Sequence, residues 1–385
     1  MALSINQEPA IVNLAQSPII FSVFESTAVV ANSGFQYVAD LYYWTGSISN
    51  SGSIPDYTMV KYPNTAFHGI FDLNRILNST LTDLAQVNTS NVVYFACDFS
   101  WQYLSGSTYV TGSYLKSDVY KVLDGYGLFQ EPIGQQVYAK TPYWPLMTDG
   151  PATQSFLDEN RGQIGVYVGA AGESIPTKIV YSDDAGPSDY FLSSSTTSSQ
   201  QIQQIPFNIA SGAPVDFDDT QYTIQAFSGS TALSAPITLV RVCNQKYPNV
   251  RIKWKNRYGQ FDWFNFNMVN RQSFNTERRT YQPQLGSWQS PTLAYNNYDS
   301  SVLNYIADSK QAISVNTDWV DEAYNEIFKQ LLVSDEVYWI YNEATGDLRP
   351  ITISTSSITF KTGVVDKVIQ YAFDFNFGQA YKLII

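Results

Sequence analysis

The chain has 385 residues, of which 15% are aromatic and only 15% are charged, and its net charge is −12. Soluble domains usually carry about 25% charged residues, so neutral polar side chains must cover most of the outer surface. A strongly acidic chain repels phosphate, which argues against a general nucleic-acid-binding protein. The 28 tyrosines and 22 phenylalanines favour strands over helices, and the composition predicts a mainly β protein.

The cysteines and the N-terminal segment bear on where the protein is made. Cys97 and Cys243 lie far apart in apolar, strand-like runs, which predicts buried free thiols in a reducing compartment. Residues 1–13 lack the basic start and the apolar core of a signal peptide. No apolar run approaches the roughly 18 residues of a membrane span. We therefore expect a protein that is synthesised in the cytoplasm, is soluble there and has no membrane partner.

The first predicted domain, residues 1–125, is an antiparallel β-sandwich. Its candidate strands are separated by Gly, Asn and Ser, as is typical of sandwiches. Alternate residues from Phe35 to Tyr43 share one apolar face. One short helix is predicted over residues 73–84, with Asp72 as its N-cap. The candidate strands are residues 18–24, 34–44, 57–62, 66–71, 92–101 and 116–122.

Two further regions precede residue 243. Residues 126–160 contain four prolines and little periodicity, which predicts a proline-rich connection. Residues 161–242 are predicted to form a second β-sandwich, with the low-complexity tract 193–199 as an exposed loop tip. Its candidate strands are residues 163–168, 177–182, 201–208, 221–227 and 236–243.

The last predicted region, residues 243–385, is a β domain with one amphipathic helix at 318–332. Thr317 or Asp318 can cap this helix, and apolar side chains recur along one of its faces. The apolar segment 380–385 must be paired or buried. Strands are predicted at residues 336–341, 348–360 and 369–377. The whole chain is thus predicted as a series of sandwich domains of the immunoglobulin or fibronectin III type, with one or two short helices.

A basic, aromatic band at residues 250–280 is the electrostatic exception in this acidic chain. Polar and apolar residues alternate on both sides of residues 256–259, which predicts two strands that meet there. Nine Lys or Arg residues between 241 and 279 are opposed by only Asp262 and Glu277. We expect this band to bind an acidic partner, above all a second copy of the chain. The interface candidates are Arg251, Lys253, Trp254, Lys255, Arg257, Trp263, Arg278 and Arg279.

The sequence offers few groups for catalysis. His68 is the only histidine, no serine motif lies beside it, and the glycine motifs of phosphate-binding loops are absent. One histidine and two separated cysteines cannot build a usual zinc site. We therefore expect no enzyme, no cofactor and no bound metal.

Carboxylates leave two alternatives open. Two acidic loops could bind calcium, although ordinary turn chemistry explains them as well. A pair of carboxylates at the right separation would allow glycoside hydrolysis, and a single sequence does not show such a pair. The acidic loops contain Asp183, Asp184, Asp189, Asp216, Asp218 and Asp219.

Clustered aromatic residues leave a second binding function open. They could stack on sugar rings, but positions in the core or at an interface explain aromatic clusters equally well. The residues concerned are Tyr42, Tyr43, Trp44, Trp101, Tyr103, Tyr143 and Trp144.

Three groups of structural residues carry a resemblance. The first is SPIIFSVFES, GFQYVADLYYWTG and GIFDLNRILNSTL; the second is VRVCNQKYPNVRIKWKNRYGQFDWFNF; the third is SVNTDWVDEAYNEIFKQLLVSDEVYWI with LRPITI and ITFKT. Together they span most of the chain outside residues 126–220. In these stretches the chain resembles virion structural proteins of tailed bacteriophages, especially phages of marine and Bacteroidetes hosts. The resemblance implies a tail-associated virion role and carries no catalytic residues with it.

These observations lead to one main functional expectation and two alternatives. We expect a structural subunit of the distal tail, the baseplate or another tail-associated ring, which assembles with copies of itself and with other tail proteins. Such a ring needs a heterologous interface, in which one patch meets a different patch on the neighbour. The first alternative is a receptor- or carbohydrate-binding adhesin that attaches the virion to a host glycan. A polysaccharide-degrading enzyme has the least support.

Overall fold

The structure is a computed structural model, and most of its described residues lie in strands. It describes residues 3–45, 54–85, 92–112, 114–127, 146–157, 163–167, 178–183, 186–191, 202–206, 221–242, 246–286, 288–289, 291–342, 345–363 and 369–378. Several sheets and few helices confirm the predicted mainly β class. Internal contacts divide the chain into two compact units. The first comprises residues 1–242 and 255–262, and the second comprises residues 243–254 and 263–385.

Two sheets form the N-terminal part of the first unit. A three-stranded sheet has the order β1-β3-β6, and a seven-stranded sheet has the order β2-β10-β7-β4-β5, with β8 and β9 paired to β7. Their strands are β1 (Ser4–Gln7), β2 (Val12–Leu14), β3 (Ile20–Phe24), β4 (Gln36–Thr45), β5 (Tyr57–Lys61), β6 (His68–Asp72), β7 (Val93–Ser105), β8 (Thr108–Thr111), β9 (Leu115–Lys116) and β10 (Tyr120–Leu123).

Both of these sheets contribute side chains to one hydrophobic core. Tyr37, Ala39 and Leu41 of β4 are fully buried in it, which confirms the predicted inward face of this strand. The ring of Phe21 lies 5.1 Å, centre to centre, from that of Phe99 on the other sheet. Burial of large aromatic side chains therefore contributes to the stability of this part of the unit, together with the aliphatic residues of the same core.

Two helices lie in the same region. The helix α2 (Asn74–Ala85) confirms the predicted helix, and the Asp72 carboxylate accepts a hydrogen bond from the backbone N–H of Asn74 at 3.2 Å. A one-turn helix, α1 (Ala28–Ala31), was not predicted. The buried carboxylate of Glu25 accepts backbone N–H groups at its start, and this explains a buried acid there. None of the described helices is long and apolar enough to cross a membrane.

The remainder of the first unit contains a six-stranded sheet of order β11-β18-β16-β13-β14, with β17 paired to β16, and a β12-β15 pair. The tract 193–199 lies outside the described residues. The strands are β11 (Thr153–Phe156), β12 (Gln163–Tyr167), β13 (Lys178–Asp183), β14 (Gly186–Phe191), β15 (Ile202–Pro206), β16 (Gln221–Ser228), β17 (Thr231–Ala232) and β18 (Ile237–Arg241).

The second unit is built on a seven-stranded sheet of order β20-β19-β23-β24-β25-β22-β21. The helix α3 (Asn325–Val333) packs on this sheet, and its Phe328 ring lies 5.1 Å from Phe264 and 5.2 Å from Phe373. The predicted segment 380–385 lies outside the described residues. The strands are β19 (Val250–Lys255), β20 (Phe261–Phe266), β21 (Arg271–Tyr281), β22 (Leu303–Asn316), β23 (Val337–Asn342), β24 (Asp347–Ile353) and β25 (Ala372–Phe377).

The start of the second unit's helix differs from the prediction. The segment begins with a 3₁₀ turn at Glu322–Tyr324, and α3 follows at Asn325–Val333. Asp321 caps the turn by accepting the Ala323 N–H at 2.9 Å. Thr317, one of the two predicted caps, is buried and instead accepts the backbone N–H of Tyr371. Because the Thr317 hydroxyl is bonded to Tyr371, it does not cap the helix, and the helix begins further along the chain.

Candidate interaction surface

Four of the eight interface candidates, all in β19 or β20 of the second unit, are buried or half-buried. Arg251 and Trp254 are 2% and 0% exposed. The guanidinium carbon of Arg251 lies 4.3 Å from the centre of a Trp263 ring, and the Lys253 ammonium lies 5.7 Å from the centre of the Tyr338 ring. These cation–π contacts use the side chains inside their own unit. Their role in binding a second copy stays a prediction.

Two more candidates, Lys255 and Arg257, form ion pairs within the first unit. The Lys255 ammonium lies 2.5 Å from Asp124, and the Arg257 guanidinium lies 2.6 Å from Asp149. Tyr258 completes the second pair, because its hydroxyl donates to Asp149 at 2.6 Å and accepts from Arg257 at 2.8 Å. These two cations of the predicted basic band therefore have carboxylate partners in their own chain.

The turn at 256–259 holds these ion pairs in place. The amide oxygen of Asn256 accepts the N–H groups of Tyr258 and Gln260, both at 3.0 Å, and its amide nitrogen donates to the Met147 carbonyl at 2.9 Å. Gly259 has a φ of +73°, and a Cβ there would lie 1.8 Å from the backbone oxygen of Asp124. Only glycine suits both the left-handed conformation and the close approach.

Asp262 is a buried acid of the same cluster. Its side chain bonds with Thr148 and Asn256, but burial and the nearby carboxylate of Asp149 dominate and raise its pKa to about 7. The group is therefore largely protonated in mildly acidic solution, unlike an ordinary aspartate. No signal in the sequence marked Asp262 as different from other acids, because its environment is made by distant residues.

The last two candidates, Arg278 and Arg279, lie on an exposed antiparallel ribbon in the second unit. We call residues 271–311 the arm. Its shaft is the paired strands 271–281 and 303–311, and its tip is residues 282–302. Among the described strands, β25 pairs with β22 only at residues 312–316, so the rest of β22 has β21 as its one neighbour. The shaft beyond this point extends for roughly 30 Å.

No residue of the shaft is fully buried, although four of the nine β22 residues in it, 306, 307, 309 and 311, are half-buried. Ten of the eleven residues of β21 are exposed and the eleventh is half-buried. Large apolar side chains are exposed along the whole arm, which is unusual for a surface ribbon. They are Phe274, Tyr281, Trp288, Leu293, Tyr295, Tyr298, Val302, Leu303 and Tyr305.

The two faces of the shaft differ in charge. On one face Arg279 and Lys310 accompany Glu277 and Asp308, so its charges balance. On the opposite face Phe274, Thr276 and Arg278 lie across from Gln311, Ser309 and Ala307, and Arg278 is the only charged side chain among these six. We call this second set the Arg278 face. It combines an exposed aromatic ring with a cation that has no carboxylate beside it on that face.

The first unit carries a complementary acidic face on its seven-stranded sheet. Asp40 of β4 and Asp98 of β7 are directly opposite each other, an arrangement that is unfavourable for like charges. The Lys116 ammonium, 3.4 Å from Asp98, offsets one of them. These carboxylates and Asp56 contribute, after burial, to raising the pKa of Tyr42. We call Asp40, Asp56 and Asp98 the acidic face.

A pocket of about 440 Å³ lies at the tip of the arm. The tip is held by local bonds, since the indole N–H of Trp288 donates to the Leu285 carbonyl at 3.0 Å and the backbone N–H of Asn296 donates to Asp299 at 2.9 Å. Amide, hydroxyl and carboxylate side chains line the pocket together with apolar ones. The lining includes Gln284, Leu285, Asn296, Asp299, Ser300 and Leu303.

Other residues considered from the sequence have structural contacts. His68 stacks on Phe24 at 4.8 Å, and its two ring nitrogens lie 3.0 Å from the Asn6 amide and 2.7 Å from the Ala66 carbonyl. Burial raises the pKa of the free thiol of Cys97, which makes the thiol unreactive. Cys243 lies outside the described residues.

The predicted aromatic and acidic clusters have mixed outcomes. Trp44 stacks on Tyr94 and Trp101 on Tyr103, each at 6.0 Å, whereas Tyr143 and Trp144 lie outside the described residues. Asp189 pairs with Lys178 at 2.8 Å. Asp184, Asp216, Asp218 and Asp219 also lie outside the described part of the chain. Within that part, no group of three or more His, Cys, Asp or Glu side chains is arranged to hold a metal ion.

Comparison with known proteins provides no family assignment. No protein-family model matches the chain, and no curated protein matches it in sequence.

Proposed function

We propose that the protein is a structural subunit of a tailed-phage virion, located in the distal tail, the baseplate or another tail-associated ring. It acts by symmetric assembly with copies of itself and with other tail proteins. The sequence resemblance supports the virion assignment, and the exposed arm supports assembly. In this proposal the sheets of the first unit are sandwich domains of the immunoglobulin or fibronectin III type, which serve as rigid spacers between contacts.

The arm is the observation that carries the proposal. A two-stranded ribbon is marginally stable in water, and beyond residue 312 no further described strand pairs with the arm. Its exposed aromatic side chains gain free energy when another protein covers them, and so does the outer edge of β21, which pairs with no other described strand. An arm of this kind is expected of a subunit whose working state is an assembly.

The charges of the two units favour association through the second one. The first unit contains 21 Asp or Glu residues and 10 Lys or Arg residues, whereas the second contains 13 and 12. Two copies of the first unit therefore repel each other. The second unit is nearly neutral and provides the arm, so it can approach either unit of a neighbouring copy without a large electrostatic cost.

The test is the mass of the purified full chain in solution, measured by light scattering, with negative-stain images of the same sample. We expect closed rings at an integral multiple of the 43.2 kDa protomer mass. An antibody against the chain should also label the tails of intact phage particles in electron micrographs. A monomer at every concentration, together with particles that carry no label, would contradict the proposal.

The pocket at the arm tip favours a second candidate function, a tail adhesin that binds a host glycan. Sugar sites combine a few polar side chains with an exposed aromatic ring, and Trp288, Tyr295 and Tyr298 are exposed in the same tip. An adhesin should stain host cells and inhibit phage adsorption when added as pure protein. An assembly subunit should do neither, so one adsorption assay separates the two functions.

A further inference from the structure

We propose that the Arg278 face of the arm binds the acidic face of a neighbouring copy of the chain. This inference rests on the proposed function, and it adds the partner and the two surfaces that meet. The contact is heterologous, because the arm of one copy lies on the seven-stranded sheet of the next. Heterologous contacts of this kind close into rings when the rotation between copies allows it.

The charges on the shaft decide which of its faces takes part. The opposite face carries Arg279 and Lys310 together with Glu277 and Asp308, so its net charge is zero and it offers an acidic partner little electrostatic attraction. On the Arg278 face the cation lies four residues from the exposed ring of Phe274 on the same side of the strand. An acidic, aromatic surface is the natural complement of such a pair.

The acidic face has the features that this pair requires. Asp40 and Asp98 oppose each other across β4 and β7 with Lys116 as the cation paired with Asp98. A second cation from outside would relieve the remaining repulsion. One exposed tyrosine, Tyr114, lies two residues before Lys116 and close enough to Tyr42 to act on its pKa, and it can pack against Phe274.

Charge complementarity also indicates that the partner of the Arg278 face is a second copy of the chain. The two surfaces lie on the same chain, so each copy offers both halves of the contact. The excess of carboxylates in the first unit gives the arm's cation a favourable field as it approaches a neighbour. Every copy in a ring can then both give and receive one arm.

The first test compares two substitutions at adjacent residues with opposite orientations. Arg278→Gln removes the cation from the proposed contact, and Arg279→Gln removes the same charge from the other face of the same strand. We expect R278Q to weaken self-association about tenfold and R279Q to leave it within about twofold. Equal effects of the two substitutions would overturn the assignment of the face.

The second test changes the acidic face. Asp40→Asn with Asp98→Asn makes the whole chain less acidic, so general charge repulsion predicts stronger self-association. The proposed contact predicts the reverse, a weakening of about tenfold. Circular dichroism of both Asn variants checks that the sheet is intact. Stronger association in a folded variant would overturn the acidic face as the partner.

The third test locates the contact. A photo-reactive benzoylphenylalanine in place of Phe274 is cross-linked in a mixture of isotopically light and heavy protein, so that links between copies are recognised by mass. We expect links to β4, β5 or β7 of the other copy. Links confined to the other copy's arm would overturn the inference and leave the proposed assembly function standing. A wild-type chain that never associates would overturn both.

Discussion

At the scale of single residues, the buried acid Asp262 makes the stability of the first unit depend on pH. Its pKa is raised from an ordinary 3.8 to about 7 by burial and by the neighbouring Asp149 carboxylate. Between these two values the folded state holds a proton that the unfolded state has released. The unfolding free energy contributed by this group therefore falls as pH rises from about 4 to 7 and stays low above 7.

We predict that Asp262→Asn removes this contribution. The variant should gain stability relative to wild type as pH rises from 4 to 8, by up to about 4 kcal/mol, since each pKa unit corresponds to about 1.4 kcal/mol. Denaturant unfolding of both proteins at pH 4, 6 and 8 measures the difference, in which the other titrating groups cancel. A difference that does not change with pH would show that Asp262 ionises normally.

A second prediction at the residue scale concerns Gly259. Its φ is +73°, and a Cβ at this position would collide with the backbone oxygen of Asp124. Gly106 is a matched control with a φ of +66° and nothing within 4 Å of the same position. Both substitutions to alanine carry a conformational cost of about 1–2 kcal/mol. We expect Gly259→Ala to lower the thermal midpoint clearly more than Gly106→Ala, and equal midpoints would refute the close approach to Asp124.

At the scale of elements, the arm is separable from the fold of its unit. The described residues between 275 and 310 contribute no side chain to the buried core of the second unit. Residues 313 and 315, at the base of the same strand, are buried in that core and must be kept. The arm is therefore part of the protein surface, whereas the residues at its base are part of the buried core.

We predict that the second unit folds without the arm. Phe274 and Gln311 are direct partners, so an Asn-Gly turn can join them in place of residues 275–310. The shortened chain should keep its near-ultraviolet circular dichroism and a thermal midpoint within a few degrees of wild type, and it should no longer self-associate. Loss of the cooperative transition would show that the arm is needed for folding.

The helix α3 shows how far local signals reach at this scale. The apolar face that the sequence predicts, Val320, Ala323, Ile327 and Leu331, is correct at Ile327 and Leu331, which are buried against the sheet. Ala323 is exposed, and the buried Phe328 was not part of the predicted face. The predicted start of the helix is wrong. Thr317 has the intrinsic preference of a cap, but it bonds to Tyr371, which lies more than fifty residues away in sequence. A cap preference of about 1 kcal/mol is easily overridden by such a buried bond.

At the scale of the whole molecule, the sequence showed a basic band, and the structure divides that band by accessibility. Arg251 and Arg257 are buried, Lys255 pairs with Asp124, and Arg278 and Arg279 remain exposed. The count of charges could not show this division, because burial depends on which distant residues fold over each side chain. The proposed interface accordingly moves from the first strand pair to the arm.

The strands of the arm were missing from the prediction for a related reason. Alternation of apolar and polar residues reveals a strand when one of its faces is buried and the other is exposed to solvent. Both faces of β21 are exposed, so neither face needed apolar residues and no alternation arose. The same property that hides the arm in the sequence makes it an exposed surface in the structure, and the proposed contact is based on that exposure.

The sequence by itself determined the mainly β class, the inward face of β4, the position of α2 and the hairpin around residues 256–259. Each of these follows from local periodicity or turn chemistry, which short stretches of chain carry. Only the tertiary structure decided which cations stay exposed, which acid is buried, where α3 begins and that residues 271–311 form an arm. Those features depend on contacts between residues far apart in the chain, and no local pattern contains them.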